Sequence, residues 1–64
     1  MNHTAGTVLR TLRLRTGLSS AEVAQRAKVP EFYLLQVERG QATPTDAWLG
    51  HVAEILADAL VERN

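Results

Sequence analysis

The sequence predicts an all-α domain of four short helices. Apolar residues recur at i, i+3 and i+4 spacing in four separate stretches, and residues that start or stop helices punctuate them: Gly17, Ser19, Pro30, Gly40 and Thr43-Pro44. No stretch alternates with the two-residue period of a strand, and nothing repeats internally. At 64 residues, 45% of them hydrophobic, residues 1–64 are read as a single domain, since a chain this short buries only ~60% of its unfolded surface. It has no cysteine, which excludes disulfides, thiolate zinc sites and thiol nucleophiles and leaves packing to hold the fold.

Residues 1–6 are read as a flexible lead-in, with the first helix spanning about residues 5–16. There Val8, Leu9 and Leu12 recur at helical spacing, and Gly17 follows where a left-handed residue ends a helix. Ser19 stands three residues before Glu22, the spacing of a capping box, so the second helix starts there. Its apolar set is small, Val23, Ala24 and Ala27, and it ends before Val29-Pro30 because a residue preceding proline avoids the α region.

Pro30 has no N–H to leave unsatisfied and Gly40 supplies an exit, so the third helix runs from residue 30 or 31 to 39. Thr43-Pro44-Thr45-Asp46 repeats the start pattern: Thr43 as cap, Pro44 in the first turn and Asp46 at the positive end of the dipole. The fourth helix then extends to about residue 60, with Leu49, Val52, Ala53, Leu56 and Leu60 facing the core and Trp48, Ile55 and Ala59 on a flank. The glycines are read as helix terminators, apart from Gly50 inside the fourth helix.

Formal charge is zero, but unevenly distributed. Residues 1–28 carry Arg10, Arg13, Arg15, Arg26 and Lys28 against Glu22, a net +4; residues 29–64 carry Arg39 and Arg63 against Glu31, Glu38, Asp46, Glu54, Asp58 and Glu62, a net −4. The split fits a polyanion-facing side and equally fits mutual attraction of the halves. No apolar run approaches the ~18 residues of a membrane span, and the start lacks a secretory layout, so no membrane partner and an intracellular location are expected. His51 and Glu54 share a helix face, but two ligands do not make a metal site. No nucleophile with a base, paired carboxylates or phosphate-cradling loop is visible, so neither an enzyme nor a cofactor is expected.

Two short helices joined by a tight turn over about residues 19–39 suggest helix-turn-helix geometry. The string Leu9-Arg10, Leu12-Arg13, Gly17-Leu18-Ser19, Glu22-Val23-Ala24, Val29, Val37-Glu38-Arg39-Gly40, Pro44, Val52-Ala53 and Leu56 closely resembles the phage-repressor type of helix-turn-helix domain, also called Cro-like or XRE-like, over about residues 7–60. The resemblance implies a lambda-repressor-like fold of four to five helices, of which this chain is too short for a full fifth. It implies a cytoplasmic, bacterial or phage-encoded transcriptional regulator, a repressor, that binds double-stranded DNA as a homodimer. It implies a buried ion pair between Arg13 and Glu38, groove-facing side chains at Glu31, Phe32, Leu35 and Gln36, and backbone contacts from Ser19, Ser20, Arg39 and the Gln41–Thr43 loop.

Periodicity bears on the same helix. With Leu34, Val37 and Glu38 inward, Phe32, Leu35, Gln36 and Arg39 share the opposite stripe, and Tyr33 lies between with its hydroxyl in water. Gln36 suits bidentate pairing with adenine. Glu31 suits either a cytosine amino group or the helix dipole. Phe32 and Leu35 suit thymine methyl groups or a protein partner. The alternative to a DNA reader is therefore a protein-interaction or antitoxin-like module using Phe32 and Leu35. Trp48, Ile55, Leu60 and Val61 are the expected isologous dimer contact, with Trp48 alternatively plugging the core edge.

Overall fold

The computed structural model describes residues 5–63, with side chains to Glu62. Four helices follow in order: α1 (Ala5–Thr16), α2 (Ser20–Ala27), α3 (Glu31–Glu38) and α4 (Asp46–Arg63). Helix α1 packs on α3 and α4, and α2 packs on the same two from the other side. Leu9, Val23, Ala24, Ala27, Leu34, Val37, Val52 and Leu56 fill the space between them. Each large side chain buried in this way stabilises the fold by ~1.5–3 kcal/mol.

The helix ends follow local chemistry. Gly17 (φ 77°) ends α1, and its N–H reaches the Leu14 carbonyl at 3.2 Å. The buried Thr16 hydroxyl donates to the Arg13 carbonyl and accepts from the Leu18 N–H at 3.1 Å, so the turn leaves no polar atom stranded. Ser19 caps α2 in a full capping box: its Oγ accepts from the Glu22 N–H at 3.1 Å, and its own N–H donates to the Glu22 carboxylate at 2.9 Å. Those hydrogen bonds from Ser19, the backbone one first, hold the Glu22 carboxyl below its ordinary pKa.

Four expectations need correction. Residues 1–4 of the flexible lead-in lie outside the described residues, but Ala5 and Gly6 belong to α1. Gly6 is no helix terminator: it is buried against α3, where an added Cβ would overlap the Val37 carbonyl. The cap of α4 is Thr45 rather than Thr43, because the Thr45 Oγ accepts from the Trp48 N–H at 3.1 Å and leaves Pro44 outside the helix. Ala59 is core at 4% exposure, since α4 turns its Val52–Leu56–Ala59 line inward and leaves Leu49, Ala53 and Leu60 half-buried. Helix α4 also runs beyond residue 60 to Arg63, far enough for Glu62 to accept from Arg26 at 3.2 Å.

Candidate nucleic-acid interface

The turn between α2 and α3 sets how α3 stands on the domain. Lys28 adopts the left-handed conformation, φ 58° and ψ 45°, and its N–H reaches the Ala24 and Gln25 carbonyls. The next N–H, from Val29, bonds to Ala24 at 3.0 Å, which completes a Schellman closure of α2. Pro30 (φ −65°, ψ 130°) is extended and immediately precedes α3. Gly40, at φ 75°, closes α3 the same way, with Gly40 N–H to Val37 at 3.0 Å and Gln41 N–H to Gln36 at 2.8 Å.

The inner face of α3 is fixed by Leu34 and Val37, each 1% exposed, and by the buried carboxylate of Glu38. Arg13 Nε and Nη2 donate to Glu38 Oε2 and Oε1, both at 2.8 Å, and Nη1 points at the Leu18 carbonyl at 3.4 Å. Hydrogen bonding to Glu38 raises the guanidinium pKa above its ordinary value. This paired geometry spends Arg13 on the fold.

The outer face is where function has room. Phe32 is 73% exposed and Arg39 is exposed beside it, while Leu35 and Gln36 are half-buried on the flanks. Tyr33 does not leave its hydroxyl wholly to water: it points to the Thr43 carbonyl at 3.5 Å, and its ring meets Trp48 edge-on with centroids 5.1 Å apart. That contact steadies the loop bearing Gln41 and Thr43, both exposed. At the start of α3 the Ser20 hydroxyl donates to Glu31 Oε2 at 2.7 Å, joining the first residue of α2 to the first of α3. Among the described residues Arg39, Arg10 and Lys28 enter no ion pair.

The residues expected at a dimer contact differ in exposure: Trp48, Ile55 and Leu60 are half-buried and Val61 is exposed. Trp48 and Ile55 pack against the core, Trp48 also meeting the Tyr33 ring of α3. Of the set, Val61 alone is exposed, at 74%. Trp48 therefore closes the core edge.

Sequence reading missed three contacts: Ser20 with Glu31, Gly6 on Val37, and His51 Nε2 with the Ala27 carbonyl at 2.7 Å. The last places His51 on the free C-terminal end of α2 rather than with Glu54. Among the described residues no group of three or more His, Asp or Glu is placed to hold a metal ion, and no helix is long and apolar enough to cross a membrane.

Two helices joined by a three-residue turn, the second presenting an uncovered face, define a helix-turn-helix, and the family model for the helix-turn-helix domain matches residues 4–63. The chain belongs to the helix-turn-helix domain family. No curated protein and no solved structure matches it. For a helix-turn-helix domain the indicated role is that of a DNA-binding regulator.

Proposed function

We propose that this helix-turn-helix domain is a sequence-specific transcriptional repressor that lays α3 in the major groove of double-stranded DNA. The observation that carries the reading is the division of α3 into two faces. Leu34, Val37 and Glu38 lock it to the domain, while Phe32 and Arg39 are exposed, Gln36 is half-buried, and Glu31 at the head of the helix is bonded to Ser20 at the start of α2. Gln36, Glu31, Phe32 and Leu35 then meet base edges. Arg39, Ser19, Ser20, Gln41 and Thr43 meet the phosphate backbone and set orientation. Binding as a homodimer on half-sites ~34 Å apart follows the usual geometry of such domains, with Trp48, Ile55, Leu60 and Val61 of α4 as its contact. A regulator of this kind works in the cytoplasm, where bacterial or phage DNA lies.

Selection of bound sites from random duplexes tests the proposal. A partly palindromic motif is expected, with log affinity falling linearly as log salt rises. Recovery of no motif above bulk duplex would overturn it. A second reading, a protein-interaction or antitoxin-like module, draws on the 73% exposure of Phe32 and on the zero net charge. Capture of a protein partner that is lost in Phe32→Ala and Leu35→Ala, together with failed site selection, would establish it instead.

A further inference from the structure

The bond between Ser20 and Glu31 carries an inference that rests on the DNA-binding reading and narrows it to a base. The Ser20 hydroxyl has one proton, and that proton is given to Glu31 Oε2 at 2.7 Å. The carboxylate is thereby held by one oxygen on an exposed residue at the head of α3. An ionised carboxylate only accepts hydrogen bonds. In the major groove guanine offers acceptors, thymine offers an acceptor and a methyl group, and adenine sets an acceptor beside its amino group. Cytosine is the one base that offers a donor with no acceptor next to it.

Phe32 follows immediately, its Cα ~3.8 Å from that of Glu31, and the residue is 73% exposed. On the major-groove edge of cytosine the position next to the amino group is C5, where a methyl group sits in 5-methylcytosine. We propose that Ser20, Glu31 and Phe32 form a cytosine reader that favours the 5-methylated base. Glu31 accepts from the amino group, Ser20 positions the carboxylate, and Phe32 covers the methyl group. Thymine carries the same methyl but turns its O4 acceptor towards the carboxylate and is rejected.

The experiment takes the site recovered by selection and measures affinity by fluorescence anisotropy. Each base pair is exchanged in turn, and each cytosine is also replaced by 5-methylcytosine. At least one position should prefer cytosine over thymine by about tenfold and bind about fourfold tighter when methylated. Glu31→Gln should move the preference there to adenine, whose amino group and N7 an amide meets together. Ser20→Ala should weaken the cytosine preference by more than it weakens affinity for bulk duplex, and Ser20→Thr should restore the preference. Phe32→Ala should keep cytosine and lose the methyl effect. All four substitutions lie outside the core, and thermal melts will verify that each variant folds. A specific site with no cytosine position sensitive to Glu31→Gln, or one indifferent to methylation, overturns the inference and leaves the DNA reading standing. Failure to bind any duplex overturns both.

Discussion

Arg13 grips Glu38 side-on, two parallel hydrogen bonds of 2.8 Å joining the last turn of α1 to the last residue of α3. Their side chains are 13% and 3% exposed, so the pair sits largely out of water with its hydrogen bonds made. Removing one partner strands a charge. Arg13→Ala or Glu38→Ala should cost ~3–5 kcal/mol, a large share of the ~3–10 kcal/mol available to a domain of this size. The double variant Arg13→Met/Glu38→Leu should lose much less than either single change. Urea denaturation midpoints check the order, and a double variant as unstable as the singles would refute this account.

Two glycines in helices should respond with opposite signs. At Gly6 an added Cβ runs into the Val37 carbonyl, a backbone atom that cannot swing aside. Gly6→Ala should therefore destabilise by ~1–3 kcal/mol through overpacking. At Gly50 nothing lies within 4 Å. Gly50→Ala should stabilise by ~0.5–1 kcal/mol by reducing the backbone freedom lost on folding. Thermal unfolding of the two variants side by side makes the comparison.

Lys28→Gly addresses the strained turn. A residue with a Cβ at φ 58° bears a cost of ~1–2 kcal/mol that glycine avoids, partly offset by glycine's greater freedom in the unfolded chain. A net gain of ~0.5–1 kcal/mol is expected, read as a higher denaturation midpoint with an unchanged slope. A loss of stability would show that the Lys28 side chain makes a contribution beyond its backbone.

The capping box gives α2 an acid-sensitive element. Because folding holds the Glu22 carboxyl below its ordinary value, its contribution is fully present above the unfolded glutamate pKa. It fades as pH falls through the depressed folded value. Glu22→Gln should flatten that acid limb of the stability curve and leave the shape of the curve above it unchanged. Ser19→Ala should lower stability by ~1 kcal/mol through loss of the cap. Chemical denaturation repeated along a pH series reads both effects.

Gln36 and Arg39 separate sequence reading from backbone attraction. Gln36→Ala should relax preference at one base pair by ~1–3 kcal/mol. Arg39→Ala should weaken all duplexes alike and reduce the slope of log affinity against log salt by about one. Equal effects on specific and bulk duplex from both variants would contradict the assignment.

The parts of this fold legible in the sequence are those governed by neighbours along the chain. Gly17, the Ser19-to-Glu22 spacing, Val29-Pro30 and Gly40 placed the ends of α1, α2 and α3 because caps and left-handed residues act within a turn. Thr43-Pro44 and Thr45-Asp46 offer the same chemistry twice, and local grammar has no means of choosing between them. The inward turn of Ala59 depends on how α4 lies on its neighbours. Gly6 on Val37, His51 on Ala27 and Ser20 on Glu31 are separated by 31, 24 and 11 positions, and no spacing rule connects them. The period set Phe32, Leu35, Gln36 and Arg39 opposite Leu34, Val37 and Glu38, but not how far neighbouring helices shade Leu35 and Gln36, and likewise not that Trp48 and Ile55 pack partly against the core of their own molecule.

The inner side of α3 is spelled by three residues, Leu34, Val37 and Glu38, and these together with the closures at Lys28 and Gly40 fix its placement. Glu31 and Phe32 are exposed and Gln36 is half-buried outside the core cluster, so their letters can be rewritten while the frame stays as it is. The address of the domain and its durability thus evolve on separate surfaces of one eight-residue rod, and new targets become reachable by single exchanges without passing through an unfolded intermediate.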